Sequence, residues 1–157
     1  MFDTKLFTTT NVVADFTGLI GHGMTHLFQS EQPEVVAILP EKRGSGKTRH
    51  FTSLQFACVA LIADLLAAEF KLPLAGKIAH RVMEAHNREP NVEQWAIVHT
   101  ANGNISTLPY TKASLETGYI SGSRITFAIT VDLKNYAERI QQAIADASRV
   151  IGDVDAA

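Results

Sequence analysis

Four basic side chains, Lys42, Arg43, Lys47 and Arg49, together with His50, fall in the acid-free stretch 42–50 of a chain whose formal net charge is −2. The positive charge is local. Gly44, Ser45 and Gly46 lie in its middle, and glycine admits the positive φ values that tight turns require. Such a set can bind phosphate oxygens. Each cation that neutralises a phosphate of a nucleic-acid backbone releases a counterion, so a handful gives strongly salt-dependent binding. A solvated surface turn has the same composition, and the flanking residues must separate the two.

Gly46, Lys47 and Thr48, coming after the apolar residues 35–39, also look like the end of a phosphate-binding loop of Walker A type. That pattern requires an earlier glycine at position 41, which is glutamate here. It also requires the Lys-Thr pair in the first turn of a helix, facing the anion. Residues 48–51 instead read as extended, and Thr52 is the better N-cap for the following helix, since its hydroxyl can accept a first-turn N–H. The basic residues are therefore expected on a β-hairpin wing. Alternation puts Lys47, Arg49 and Phe51 on one face and Thr48 and His50 on the other.

Two elements before the wing bear on its use. Phe7 and Thr8 read as a short extended entry, and the threonines that follow can cap a helix whose buried face is Val12, Val13 and Phe16, closed by Gly18 as a left-handed C-cap. A second helix over residues 22–29 turns Met24, Leu27 and Phe28 inward and His22, Thr25, His26 and Gln29 outward. Two short helices around a tight turn make a helix-turn-helix, whose second helix can enter a major groove. His22 and His26 are spaced as a metal pair, but they have no third ligand nearby and no metal is expected.

The opening Phe7-Thr8, the run Val13-Ala14-Asp15-Phe16-Thr17-Gly18-Leu19 and the wing ending Arg49-His50-Phe51-Thr52 resemble the MerR-like winged helix-turn-helix family of DNA-binding regulators. The resemblance covers residues 7–86. It implies DNA contacts from His22, Thr25, His26, Gln29, Lys42, Arg43, Ser45, Lys47 and Arg49, and a homodimer held by a long C-terminal helix. The family's arginine in the second helix is missing from Met24-Thr25-His26-Leu27-Phe28, so no Arg-to-guanine fork is available there.

After Thr52, Leu54, Ala57, Leu61, Leu65 and Ala68, widened by Cys58, Ile62 and Leu66, predict a largely buried helix. Pro73 suits the first turn of another, running to His86 with Leu74, Ile78 and Val82 inward and Lys77, His80 and Arg81 outward. Residues 87–91 read as a linker. Beyond it, residues 95–100 and 105–108 flank Asn102-Gly103 as a hairpin, residues 125–131 form a third strand, and Asp132 can cap a final helix. The stripe Leu133, Tyr136, Ile140, Ile144, Ala147 and Ile151 on that helix is either core or a seam for a second subunit. The resemblance implies the seam, making Leu133, Tyr136, Ile140, Ile144 and Ile151 the expected dimerisation residues. Trp95, Tyr110 and Tyr119 are candidate walls for a small-molecule effector.

With 157 residues, 46% of them hydrophobic and 19% charged, the chain can bury a real core. The expected class is α+β: a winged helix-turn-helix with buttressing helices over residues 1–86, then a small β-sheet module with a C-terminal helix over residues 92–157. The single cysteine, Cys58, reads as core in a reducing compartment. No apolar run reaches membrane-spanning length and no basic-then-apolar leader opens the chain, so a cytoplasmic, nucleoid-associated protein is expected. No catalytic set and no cofactor are expected. The expected function is sequence-specific binding of double-stranded DNA and transcriptional regulation as a homodimer. The alternatives are a nucleotide-binding protein using Gly46, Lys47 and Thr48, and an architectural DNA-binding protein of the excisionase kind.

Overall fold

The computed structural model describes residues 1–41, 49–112 and 115–156, with residues 112 and 149–156 described through the backbone only. Residues 56–62, two turns of helix α4 (Ser53–Ala67), are all buried. A helix apolar on every side must be enclosed on every side, and the other elements are arranged to do so. A capping box fixes its start: the Thr52 hydroxyl accepts the Gln55 N–H at 3.1 Å and the Gln55 side chain accepts the Thr52 N–H at 3.0 Å. The helix begins at Ser53, so Lys47 and Thr48 fall before its first turn. Its end is set by Glu69, left-handed at φ 70°, with the Phe70 N–H donating to the Leu65 carbonyl at 3.0 Å. Pro73 then opens α5 (Leu72–Arg88).

Around α4 lie α1 (Thr10–Thr17), α3 (Pro33–Ile38), α5 and α6 (Leu133–Ala156), and α2 (His22–Gln29) adds Met24 and Leu27 to the same core. Two antiparallel sheets complete the described residues. In the smaller, β1 (Phe7–Thr9) pairs with β2 (His50–Thr52), Thr8 opposite Phe51. The larger joins β3 (Gln94–Thr100), β4 (Ile105–Pro109), β5 (Tyr119–Ile120) and β6 (Ser123–Asp132) in the order β4-β3-β6-β5. The class is thus mixed α+β. The hairpin around Asn102-Gly103, the third long strand and the final helix follow the sequence expectation; the two-residue β5 does not announce itself. No helix among the described residues is long and apolar enough to cross a membrane.

The apolar residues 35–38 are helical, with Pro33 in the first turn of α3. Two expectations change. Residues 87 and 88, read as linker, continue α5. The expected dimerisation stripe faces its own protomer: Leu133, Tyr136, Ile140 and Ile144 are buried in one hydrophobic cluster with Val13, Phe56 and Ile62, and the Tyr136 hydroxyl donates to the Asp64 carboxylate of α4. The physical reason is that α4 has an apolar flank which the N-terminal helices leave open. The side chain of Ile151 lies outside the described residues.

Helices α3 and α5 meet at Gly76, where an added Cβ would stand 2.7 Å from the Val35 Cγ2 atom and 2.9 Å from the Gln32 side-chain amide. Val35 is fully buried and stiff at χ1, so it cannot yield. The end of α5 holds His86, buried edge-on against Phe2 at 5.2 Å, with its Nδ1 atom lacking a hydrogen-bond partner among the described residues. Burial, and then the nearby N-terminal ammonium, push its pKa down.

Gly76→Ala should therefore lower unfolding free energy by about 1–3 kcal/mol through overpacking, measured by urea denaturation. His86 gives a pH dependence of known sign. Its folded pKa lies below the unfolded value of about 6.5, so the unfolded chain binds more protons, and stability present above pH 6.5 is lost as pH falls through the folded value. Thermal scans from pH 7.5 to 5 should show a steeper loss for the natural protein than for His86→Leu; equal slopes would refute this.

Candidate nucleic-acid interface

The outer face of α2 carries His22, Thr25, His26 and Gln29, all exposed, while Met24 and Leu27 are buried and Phe28 is half-buried. Spacing alone separates these faces, and the structure agrees with it. Gly18 takes the left-handed conformation (φ 73°) that closes α1. The Thr25 hydroxyl donates to the Gly21 carbonyl at 3.2 Å, leaving its lone pairs free. No group of three metal-binding side chains forms among the described residues.

Arg49 joins this helix to the basic stretch. Its guanidinium lies over the Phe28 ring, 4.0 Å from the centroid, and donates through Nη1 to the Pro40 carbonyl at 3.0 Å. The Phe28 ring in turn leans on Phe51, their centroids 6.2 Å apart, and Phe51 is wholly buried. Pro40 and Arg49 are thereby held together beside α2, and the chain between them leaves and returns at one place. Lys42, Arg43, Ser45 and Lys47 belong to that interval and lie outside the described residues. So does the expected hairpin; the described strand after it, β2, pairs with β1.

The role expected for Arg49 needs correction. It is half-buried and tied to Phe28 and Pro40, so it clamps the neck of the basic interval before it can grip anything else. Arg49 and Phe51 both reach Phe28, whereas His50 is exposed, which matches the expected alternation. Beside the neck, Phe7, Pro40, Glu41, His50 and Thr52 line a groove of about 260 Å³. Sequence spacing gives no sign of the Phe28 platform or of the Pro40 acceptor, because both contacts join residues far apart in sequence.

Other expected cations are less available. Lys77, His80 and Arg81 line a groove of about 580 Å³ with Glu34 and Glu84. Arg81 and His80 stand 3.8 and 3.6 Å from Glu84. A hydrogen bond from its own backbone N–H lowers the Glu34 pKa, so the groove holds both signs of charge. Trp95, Tyr110 and Tyr119 do not converge: Trp95 is core, opposite Val131 at one end of the sheet, and Tyr119 is exposed opposite Arg124 at the other. Neither a known protein family nor a characterised protein matches the chain.

The clamp can be measured. Unfolding of Phe28→Leu, Arg49→Gln and the double variant should give a coupling of about 0.5–1 kcal/mol. Independent effects would mean that the stacking is not formed in solution.

Proposed function

We propose that this protein binds double-stranded DNA in a sequence-dependent way and regulates transcription, as a homodimeric protein of the winged helix-turn-helix kind. The observation that carries the reading is the clamp of Arg49 on Phe28 and Pro40. It anchors both ends of the interval bearing Lys42, Arg43 and Lys47 beside the one exposed face of α2 that displays His22, Thr25, His26 and Gln29. Cations in an interval whose two ends are held beside a polar helix face would supply the two parts that DNA recognition needs: phosphate contacts for affinity and register, and hydrogen-bonding side chains for base edges. A net charge of −2 is no obstacle, since the Debye length of about 8 Å confines each patch to its own neighbourhood.

The test is selection from a random duplex pool, followed by salt titration of the recovered site. Lys42→Ala and Lys47→Ala should each weaken binding to all duplexes and reduce the salt slope by about 1. His26→Ala or Gln29→Ala should change which sites are enriched, at about 1–3 kcal/mol per lost base contact. An unenriched pool would overturn the reading, and saturable magnesium-dependent ATP binding would then favour the nucleotide alternative.

A further inference from the structure

The helix assigned to base contacts carries no lysine or arginine. None occurs anywhere between Lys5 and Lys42, and Arg49, whose guanidinium reaches α2, is half-buried against Phe28 and Pro40. What α2 displays is one stripe at three- and four-residue steps: His22, Thr25, His26 and Gln29, all exposed. The stripe is roughly 10 Å long, which spans about three base-pair steps.

The hydroxyl proton of Thr25 is committed to the Gly21 carbonyl at 3.2 Å. Toward solvent it offers lone pairs and a methyl group, which match the N6 amino group of adenine and the C5 methyl of thymine. Gln29 offers an amide oxygen and an amide nitrogen side by side. Adenine answers both, with its N6 donor beside its N7 acceptor, whereas guanine shows two acceptors there and leaves the amide oxygen unpaired. Gln29 is also the last residue of α2, where the final carbonyls carry the negative pole of the helix, and Glu31 is exposed just beyond. Negative potential at that end favours an amino group over the guanine O6. His22 and His26 in neutral form bring one donor and one acceptor each, and purine N7 accepts from such a donor whether the base is adenine or guanine. The choice of base under α2 therefore falls to Thr25 and Gln29.

We propose, resting on the DNA reading above, that α2 reads A·T base pairs: Gln29 bonds N6 and N7 of one adenine, and Thr25 meets a second A·T pair. Four residues on a helix separate the two contacts by about 6 Å, so the two pairs lie within about two steps of each other.

Sites are selected from a random duplex pool with the natural protein and with Gln29→Ala, Gln29→Arg and Thr25→Val, all at exposed positions and checked for unchanged circular dichroism. Gln29→Ala should relax the preference at one A·T pair, and Gln29→Arg should move the same position to G·C. Thr25→Val, which keeps a methyl group and loses the acceptor, should relax a second A·T pair nearby. 7-Deazaadenine, with a C–H in place of N7, at the first position should weaken binding by the natural protein on the order of tenfold and leave binding by Gln29→Ala unchanged. An enriched site that Gln29→Ala leaves unaltered or relaxes at a G·C pair, or a deaza base that costs both proteins equally, overturns the assignment while DNA binding stands. A pool without enrichment overturns the DNA reading itself, and the assignment with it.

Discussion

A helix with no polar side forces the rest of the chain to surround it. Residues 56–62 of α4 are buried throughout, and each fully buried Leu, Ile, Val or Phe contributes about 1.5–3 kcal/mol through removal from water. That gain exists only when neighbours cover every flank. α1, α3 and β2 cover part of it, α5 another, and α6 the remainder. The two halves that composition separates at residues 87–91 therefore share one core. The capping box at Thr52 fixes the register of α4 against β2, and β2 carries Phe51, with Arg49 just before the strand, to α2. The surface that displays His22, His26 and Gln29 is thus positioned by the demands of a buried helix.

Local signals were the legible ones. The inward and outward faces of α2, the Gly18 stop, the Thr52 cap, the Asn102-Gly103 hairpin and the Asp132 cap all depend on residues within a few positions of each other, where side-chain chemistry and backbone geometry act directly. Contacts between distant residues were not legible. Nothing in the spacing of Phe28, Pro40 and Arg49 says that they meet, and a cation expected on phosphate proved to be occupied by an aromatic ring and a carbonyl. The stripe on α6 was visible as a stripe. Whether it faced its own chain or another depended on how much of α4 the N-terminal helices could cover, which is a property of the assembled core. The stop after α4 was also hidden, since the left-handed residue there is Glu69 and not a glycine.

The candidate interface combines parts with different mechanical character. α2 is anchored by Met24 and Leu27 and carries short polar groups on a rigid frame, which suits hydrogen bonds whose geometry must be held. Long basic side chains tolerate variation in position, because a charge on a flexible stem meets a phosphate over a range of distances. Under the proposed function, α2 would be the part that discriminates and the basic interval the part that attracts.

The closed neck at Pro40 and Arg49 has a mechanical consequence. Because Pro40 and Arg49 are fixed to each other and to Phe28, the described chain on either side of the basic interval is tied at one point. Under the proposed function, changes of charge at Lys42, Arg43 or Lys47 would alter attraction to a polyanion while the contacts of Arg49 with Phe28 and Pro40 are kept.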